Sequence, residues 1–279
     1  MALIQVDGRT VEYVVAGEGE PILLCSPDWW PLDAWTLSGI PQLADRYRVV
    51  AFNQRGIGQS TGTPDDYDVP LFARDTLALM DALRIPSAHL LGFAIGAVIA
   101  LEAARQQPAR VRSLVLAAAG AGVPPGAPRV VPAAVEREIA AHGYRAHIRN
   151  HALNDDFAFN PDNYRAHPER AEALADALWE HAGTEAEFRK HVLARQGYVT
   201  TERLAEIATP ALVICGEEDT VARGTSTPVG VARALAAGLP HARLALIPRT
   251  RHMLFWESPE ACWAAVREFL ARVGKDAPA

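Results

Sequence analysis

The segment Gly92-Phe93-Ala94-Ile95-Gly96 constrains the fold of this chain more than any other. It follows an apolar run of strand length at 88–91 and leads directly into a segment with helical periodicity at 95–107. A glycine on each side of a sharp turn lets a strand and the next helix approach closely. The central residue, Ala94, is then expected in a strained backbone conformation, which costs about 1–3 kcal/mol. An ordinary strand–helix turn with two glycines is the alternative.

Apolar runs of strand length alternate with helix-like segments along most of the chain. Near-continuous apolar runs are typical of strands whose two faces are covered by helices. The Asp7-Gly8 pair between the first two strands is a hairpin signal. We therefore predict an α/β fold with a mostly parallel, doubly wound sheet and an antiparallel beginning. The predicted strands are 3–6, 11–16, 22–25, 48–52, 88–91, 111–116, 211–215 and 243–247, and the predicted helices 69–83, 95–107, 229–237 and 259–273.

One region interrupts this alternation. Residues 120–209 contain no convincing strand but several helix-like pieces, such as 133–142 and 168–182. The region begins with a Gly/Pro-rich connection, which is typical of a hinge. We predict a core of residues 1–119 and 210–279, with residues 120–209 inserted as a helical cap.

Composition narrows the function classes. The chain has 279 residues, 49% of them hydrophobic, and a net charge of −6. A chain of this length can bury enough apolar surface to need no disulfide or metal. No tract of Lys and Arg is present, so neither nucleic acid nor an anionic membrane is an expected partner. The N-terminal residues lack a signal-peptide core, and no stretch approaches the roughly 20 apolar residues of a membrane span. We expect a cytoplasmic protein.

Neither a metal nor a cofactor is expected. Cys25, Cys215 and Cys262 are an odd number of cysteines without metal-like spacing, and the first two are interpreted as small buried hydrophobic residues. The glycines of the turn do not form Gly-x-Gly-x-x-Gly, and no phosphate-binding loop occurs. His147 and His151 have a spacing compatible with a metal, but no third ligand follows at a matching distance.

An acid and a histidine follow later strands. Asp219 comes just after the run 211–215, and His252 comes just after the run 243–247. A lone Asp or His in a loop is usually a surface residue. Here each lies just past the carboxyl end of a strand, as Ala94 does, and open α/β sheets place their sites at that edge. We therefore predict that Ala94, Asp219 and His252 meet in one site.

Several segments resemble the α/β-hydrolase superfamily, and the resemblance covers nearly the whole chain. Residues 52–60 resemble a turn that the superfamily writes Asp-x-Arg-Gly-x-Gly-x-Ser, with Asn53 in place of the aspartate. The turn at 92–96 resembles the superfamily's nucleophile elbow, the sharp turn that carries the catalytic nucleophile. Residues 108–116 resemble the segment that follows the helix after this elbow. Within the superfamily, the sequence most resembles cofactor-free 3-oxoadipate enol-lactonases and carbon–carbon bond hydrolases. The resemblance implies an α/β-hydrolase fold acting on an ester, a lactone or an activated carbon–carbon bond.

The catalytic roles follow from the resemblance. In a Ser–Asp–His site the histidine takes the serine proton, and the acid holds the imidazole in the right tautomer. His252 and Asp219 match these roles. The position of the serine is occupied by Ala94, whose methyl group can neither attack a carbonyl nor carry an acyl group.

The oxyanion-binding segment also departs from the family pattern. This chain has Ser26-Pro27 at the positions where members of the family usually have His-Gly. Trp35, nine residues after Ser26, matches the family pattern and supports this alignment. The resemblance implies that the backbone N–H groups of Asp28 and Ile95 bind the oxyanion. The acidic side chain of Asp28 is unfavourable beside an oxyanion.

The substrate is expected to be a small molecule. Trp29, Trp30 and Phe93 flank the predicted oxyanion loop and the turn, where they would wall an apolar or aromatic substrate. Packing of the two tryptophans between cap and sheet is an equally good interpretation. No further partner is indicated, and a homodimer stays open.

Three explanations account for Ala94. In the first explanation, the chain is an inactive Ser→Ala variant of a hydrolase, with the rest of the triad intact. Alternatively, it is a natural serine-free enzyme in which a His252–Asp219 dyad acts on water or on a carbon acid, so that decarboxylation, cyclisation, isomerisation or carbon–carbon cleavage becomes accessible. The third explanation is a non-catalytic protein that keeps the pocket only to bind a ligand.

Overall fold

The structure alternates strand and helix as the sequence predicts. The computed structural model describes residues 1–123, 126–153, 158–220 and 226–276. The strands in these ranges are β1 (Ala2–Val6), β2 (Arg9–Ala16), β3 (Glu20–Cys25), β4 (Tyr47–Phe52), β5 (Ala88–Phe93), β6 (Val111–Ala117), β7 (Gly122–Val123), β8 (Tyr198–Val199), β9 (Ala211–Gly216) and β10 (Ala242–Ile247).

Eight strands form one sheet in the order β1, β2, β4, β3, β5, β6, β9, β10. β2 pairs antiparallel with β1 and with β4, and the other neighbouring strands pair in parallel. Every residue of β5 and β9 is buried, which is why their sequences are apolar without alternation. The predicted mostly parallel sheet with an antiparallel beginning is confirmed.

Helices connect the strands and build the inserted region. The short segments Pro108–Arg110 and Leu204–Glu206 are 3₁₀-helical. The α-helices are α1 (Asp33–Leu37), α2 (Gly39–Leu43), α3 (Val69–Ala82), α4 (Ile95–Gln106), α5 (Ala133–His142), α6 (Tyr144–Leu153), α7 (Pro161–Ala166), α8 (Pro168–Glu180), α9 (Glu185–Ala194), α10 (Pro228–Gly238), α11 (Leu254–Glu257) and α12 (Pro259–Asp276).

The inserted region between β6 and β9 contains α5 to α9. Among these helices, α8 buries an apolar stripe that consists of Ala171, Leu174, Ala175 and Leu178. β7 and β8 also lie here and pair antiparallel. The expectation of no strand in residues 120–209 is therefore wrong, because strands of two residues are too short to show an alternating pattern. The division into a core domain and a cap domain stays a prediction, and the name cap below refers only to residues 120–209 by their position between β6 and β9.

The three cysteines are buried, as small hydrophobic residues are. Cys25, Cys215 and Cys262 are buried, and none of the three is in a disulfide. Burial raises the pKa of the Cys25 thiol to about 12, so this cysteine stays protonated and is not an alternative nucleophile. Within the described ranges, no helix is both long and apolar enough to cross a membrane.

Candidate active site

The turn after β5 has the geometry of a nucleophile elbow. Ala94 has φ 52° and ψ −117°, a conformation that L-residues rarely adopt. A Cβ atom on Gly92 would lie 2.1 Å from the carbonyl oxygen of Gly96, and one on Gly96 would lie 2.1 Å from the carbonyl oxygen of Cys25. Both glycines are therefore required by close backbone approach. The Ala94 N–H donates to the carbonyl of Ala117 at 2.9 Å, which fixes the turn against β6.

Asp219 and His252 form a buried hydrogen-bonded pair. The distance from Asp219 Oδ2 to His252 Nδ1 is 2.6 Å, and the residues are only 1% and 3% exposed. A carboxylate on Nδ1 holds the proton there, which makes Nε2 the basic nitrogen. The His252 ring lies 5.1 Å, centroid to centroid, from the ring of Phe93. The His252 imidazole therefore lies beside the residue that precedes Ala94.

Backbone contacts position the two loops that carry this pair. The Glu218 N–H donates to the carbonyl of Thr250 at 2.9 Å, which joins the acid loop to the histidine loop. The Val229 N–H donates to the carbonyl of Asp219 at 3.2 Å, which anchors the acid loop to the start of α10. A Cβ atom on Gly216 would lie 2.3 Å from the carbonyl oxygens of Thr250 and Arg251, so only glycine allows the two loops to approach this closely.

The predicted oxyanion loop lies against the elbow. Ser26 is held in place because its carbonyl accepts from Gln54 Nε2 at 2.7 Å and its Oγ accepts from Trp35 Nε1 at 3.1 Å. A Cβ atom on Gly96 would lie 2.9 Å from the Ser26 carbonyl oxygen, so this loop meets the first turn of α4. The N–H of Ile95, at the start of α4, has no acceptor within its own helix.

Asp28, the other predicted oxyanion donor, has an unusual backbone conformation and a charged partner. Its φ is 25°, in the left-handed half of the map, which turns the chain sharply after Pro27. Its carboxylate lies 3.6 Å from Arg195 Nη1, at the end of the cap helix α9. An acid that is unfavourable beside an oxyanion is thereby paired with a cation from the cap.

The predicted substrate-binding aromatic residues form one buried cluster. The ring of Trp30 lies 5.6 Å from Phe93 and 5.4 Å from Trp256. Trp29 lies 5.6 Å from Phe188 of the cap. Trp29 therefore packs against a helix of the inserted region, while Trp30 packs against residues outside it. The wall that Trp29, Trp30 and Phe93 would offer to a substrate stays a prediction.

The departure at Asn53 is accommodated by hydrogen bonds. Asn53 Oδ1 accepts from the Leu32 N–H at 2.6 Å, and Nδ2 donates to Glu12 at 2.8 Å. The Gln59 N–H donates to the same carboxylate at 2.8 Å. Asn53 thus fixes the turn at 52–60 and the start of the segment leading to α1, which is a structural role.

Sequence reasoning missed two buried polar residues close to the loops that carry Asp219 and His252. Glu257 accepts a hydrogen bond from the Arg251 N–H at 2.7 Å, and Asn160 from the cap donates its N–H to Glu257 at 2.7 Å. The burial of these two residues could not be predicted, because a polar residue in a loop or at a helix end is normally expected to be exposed to solvent. The start of α12 at the Ser-Pro pair after Glu257 was the only available signal.

His147 and His151, whose spacing is compatible with a metal, have other neighbours in the structure. His147 Nδ1 lies 2.7 Å from Glu138, and the ring centroids of His147 and His151 are 6.3 Å apart. In the part of the chain that the structure describes, no three His, Cys, Asp or Glu side chains are grouped as metal ligands would be.

Comparison with known proteins identifies the family pattern. Residues 25–259 match the family model described as alpha/beta hydrolase fold. Among curated relatives, a protein of Variovorax paradoxus named as a carbamate hydrolase RutD is 29% identical over 94% of this chain and 97% of its own length.

Solved structures show the same fold. The enol-lactonase of Burkholderia xenovorans LB400 superposes with a TM-score of 0.81, at 23% identity, over 97% of this chain and 100% of that one. The meta-cleavage product hydrolase of Pseudomonas fluorescens IP01 superposes with a TM-score of 0.74, at 26% identity, over 98% of both chains. The fold predicted from the sequence is confirmed.

Proposed function

Because this chain belongs to the alpha/beta hydrolase fold family, we propose that it hydrolyses small carbonyl compounds without a covalent intermediate. The observation that carries the proposal is the buried Asp219–His252 pair, at 2.6 Å, next to an elbow whose side chain is a methyl group. The general base is assembled, and the nucleophile is absent. Water is the reagent that such a base can activate.

The proposed reaction begins with proton transfer. His252 Nε2 removes a proton from a water molecule while the water oxygen attacks the carbonyl carbon, and Asp219 stabilises the resulting imidazolium. General-base catalysis of this kind contributes about 10²–10⁴ in rate. The tetrahedral intermediate then collapses, and the imidazolium returns its proton to the leaving group. The enzyme ends the cycle unchanged.

Backbone donors would stabilise the intermediate. The N–H groups of Asp28 and Ile95 are the proposed donors to the oxyanion, because their loops meet where Gly96 packs against Ser26. One such donor is worth about 10²–10³ in rate. The Asp28–Arg195 ion pair reduces the repulsion between the Asp28 carboxylate and the oxyanion.

The substrate class follows from the lack of an acyl-enzyme. A water molecule must displace the leaving group directly, which favours activated esters, lactones and carbamates over ordinary amides. Relatives support this range, since the similar proteins include one named as a carbamate hydrolase and an enol-lactonase. The buried aromatic residues Trp29, Trp30 and Phe93 favour an apolar or aromatic group on the substrate.

The first test compares hydrolysis by the chain and by two histidine variants. We expect turnover of activated esters such as p-nitrophenyl acetate, and a loss of roughly 10²–10⁴ in kcat/KM in His252→Ala. The matched control is His167→Ala, since His167 is a half-exposed cap histidine paired with Glu169. An unchanged rate in His252→Ala, or no turnover of any activated ester, lactone or carbamate, would overturn the proposal and favour a ligand-binding protein.

A second experiment separates direct hydrolysis from a lost serine mechanism. The chain and Ala94→Ser are treated with a fluorophosphonate probe and read by intact mass. We expect no adduct on the chain as it stands and one adduct on Ala94→Ser, because the base and the oxyanion donors are in place. A pre-steady-state burst with the unaltered chain would contradict hydrolysis without an acyl intermediate.

A further inference from the structure

One short segment of the cap contacts both catalytic loops. The Met253 N–H, one residue after the catalytic histidine, donates to the carbonyl of Ala158 at 2.9 Å. Arg251, one residue before it, lies with Nη1 at 3.4 Å from the carbonyl of Phe159. The cap segment 158–163 therefore accepts hydrogen bonds from the histidine loop on both sides of His252.

Glu257 extends this contact as a buried acceptor. Its Oε1 accepts from the Asn160 N–H at 2.7 Å and from Asn163 Nδ2 at 2.9 Å. Its Oε2 accepts from the Arg251 N–H at 2.7 Å. One carboxylate thus joins the cap segment to the histidine loop through three donors. Burial raises the pKa of the Glu257 carboxyl, and the three N–H donors oppose that shift.

Asn160 reaches the acid loop at the same time. Its Nδ2 donates to Glu218 Oε2 at 2.7 Å, and Glu218 directly precedes the catalytic Asp219. Its Oδ1 accepts from the N–H of Asp162 at 2.8 Å, which caps helix α7. A buried side chain with all its polar atoms engaged holds one conformation.

We propose that Asn160 is a positioning residue. From its place in the cap, it holds the Asp219 loop and the His252 loop at a fixed distance from each other. This inference rests on the proposed function, since it assigns a role in the same acid–base pair. The link through Glu218 restrains the acid loop, and the link through Glu257 restrains the histidine loop. The cap therefore contributes to the geometry of the Asp219–His252 pair.

The test must separate positioning from simple helix capping. Asn160→Ser keeps a good N-cap for α7 but is too short to reach Glu218. Glu218→Ala removes the acceptor from the other side. The matched control is Thr184→Ala, because Thr184 caps α9 by accepting from the Glu187 N–H, a bond that lies within the first turn of that helix. All three variants and the unaltered chain are compared for kcat, KM and melting temperature.

A second readout does not depend on turnover. The His252 Nδ1 proton, which is hydrogen-bonded to Asp219, is expected to give a far-downfield ¹H NMR signal, assigned by its loss in His252→Ala. We expect Asn160→Ser and Glu218→Ala to shift or broaden this signal and to lower kcat by roughly 10- to 100-fold with little change in KM. The double variant is expected to be no worse than either single variant.

The outcomes distinguish the inference from the proposed function. If Asn160→Ser matches Thr184→Ala, with a lower melting temperature but an unchanged signal and kcat, the positioning role is overturned. If the unaltered chain hydrolyses nothing, the proposed function fails, and the NMR signal decides the inference alone. A signal that moves in Asn160→Ser and Glu218→Ala but not in Thr184→Ala supports it.

Discussion

Asp28 of the predicted oxyanion loop and Arg195 of the cap form an ion pair, with Oδ2 and Nη1 3.6 Å apart. Arg195 is 39% exposed and Asp28 is 13% exposed, so the pair lies at the boundary between the site and solvent. Water screens such a pair, and its contribution is modest. Its position matters more than its strength, because it sets the charge beside the proposed oxyanion.

We predict that Arg195→Gln lowers kcat/KM for an activated ester by about two- to fivefold, because it weakens the neutralisation of Asp28. Adding Asp28→Asn to this variant should restore most of the loss. Arg149→Gln is the control, since Arg149 is a cap arginine of similar exposure that pairs with Asp176. Equal effects of Arg195→Gln and Arg149→Gln on kcat/KM would show that the pair does not act on the site.

The strained backbone at Ala94 gives a prediction on stability. Ala94→Gly removes the steric cost of φ 52° and ψ −117°, which is about 1–3 kcal/mol, but adds about 0.5–1 kcal/mol of backbone entropy to the unfolded chain. We expect the free energy of unfolding in urea to rise by about 1 kcal/mol. A lower unfolding free energy in Ala94→Gly would mean that the elbow is not strained in solution.

Gly96 and Gly120 give a matched pair of glycine substitutions. A Cβ at Gly96 would lie 2.1 Å from a backbone oxygen, whereas a Cβ at Gly120 meets nothing within 4 Å. We expect Gly96→Ala to destabilise the fold by more than about 3 kcal/mol and to abolish esterase activity, because strand β3 and helix α4 must separate. Gly120→Ala should change the unfolding free energy by less than about 1 kcal/mol. Similar unfolding free energies for the two variants would contradict the close approach seen at the elbow.

His191 gives a prediction on pH. This cap histidine is fully buried, its Nε2 donates to the carbonyl of Arg55 at 2.8 Å, and its ring stacks on Phe72. Burial lowers the pKa of His191 to about 4, although Glu187 opposes the shift. Because the unfolded chain takes up this proton near pH 6.5, the stability is fully present above about pH 6.5 and falls as the pH drops towards 4.

The measurement is urea unfolding at several pH values for the chain and for His191→Gln, which can keep the donor to Arg55. The unaltered chain should lose up to about 1.4 kcal/mol more per pH unit across this window. His89 is also buried with a lowered pKa, but both proteins retain it, so the difference isolates His191. Parallel stability curves for the two proteins would contradict a buried neutral imidazole.

The core was predictable because its strands are buried on both faces. β5 and β9 consist of residues that are all buried, so their sequences show unbroken apolar runs. Asp219 and His252 were predictable for a topological reason, since parallel strands bring their carboxyl ends to one edge. The pair at 2.6 Å is the geometric result of that arrangement.

The polar contacts between cap and core could not be predicted. Asn160 and Glu257 are 97 positions apart in the chain, and neither has a local pattern that marks it as buried. Asp28 and Arg195 belong to a loop and to a helix end, where charged residues are normally solvated. The short helices α1 and α2 were also missed, because five residues do not show a helical period.

The elbow also has a consequence for how this chain can change. Its two glycines and its strained centre are backbone features that do not depend on the hydroxyl of a serine. Alanine and serine codons of the GCN and TCN sets differ by a single base. With Asp219, His252 and the elbow already brought together, one point mutation separates the proposed direct hydrolysis from covalent catalysis by a serine, so on this proposal the two chemistries are genetic neighbours.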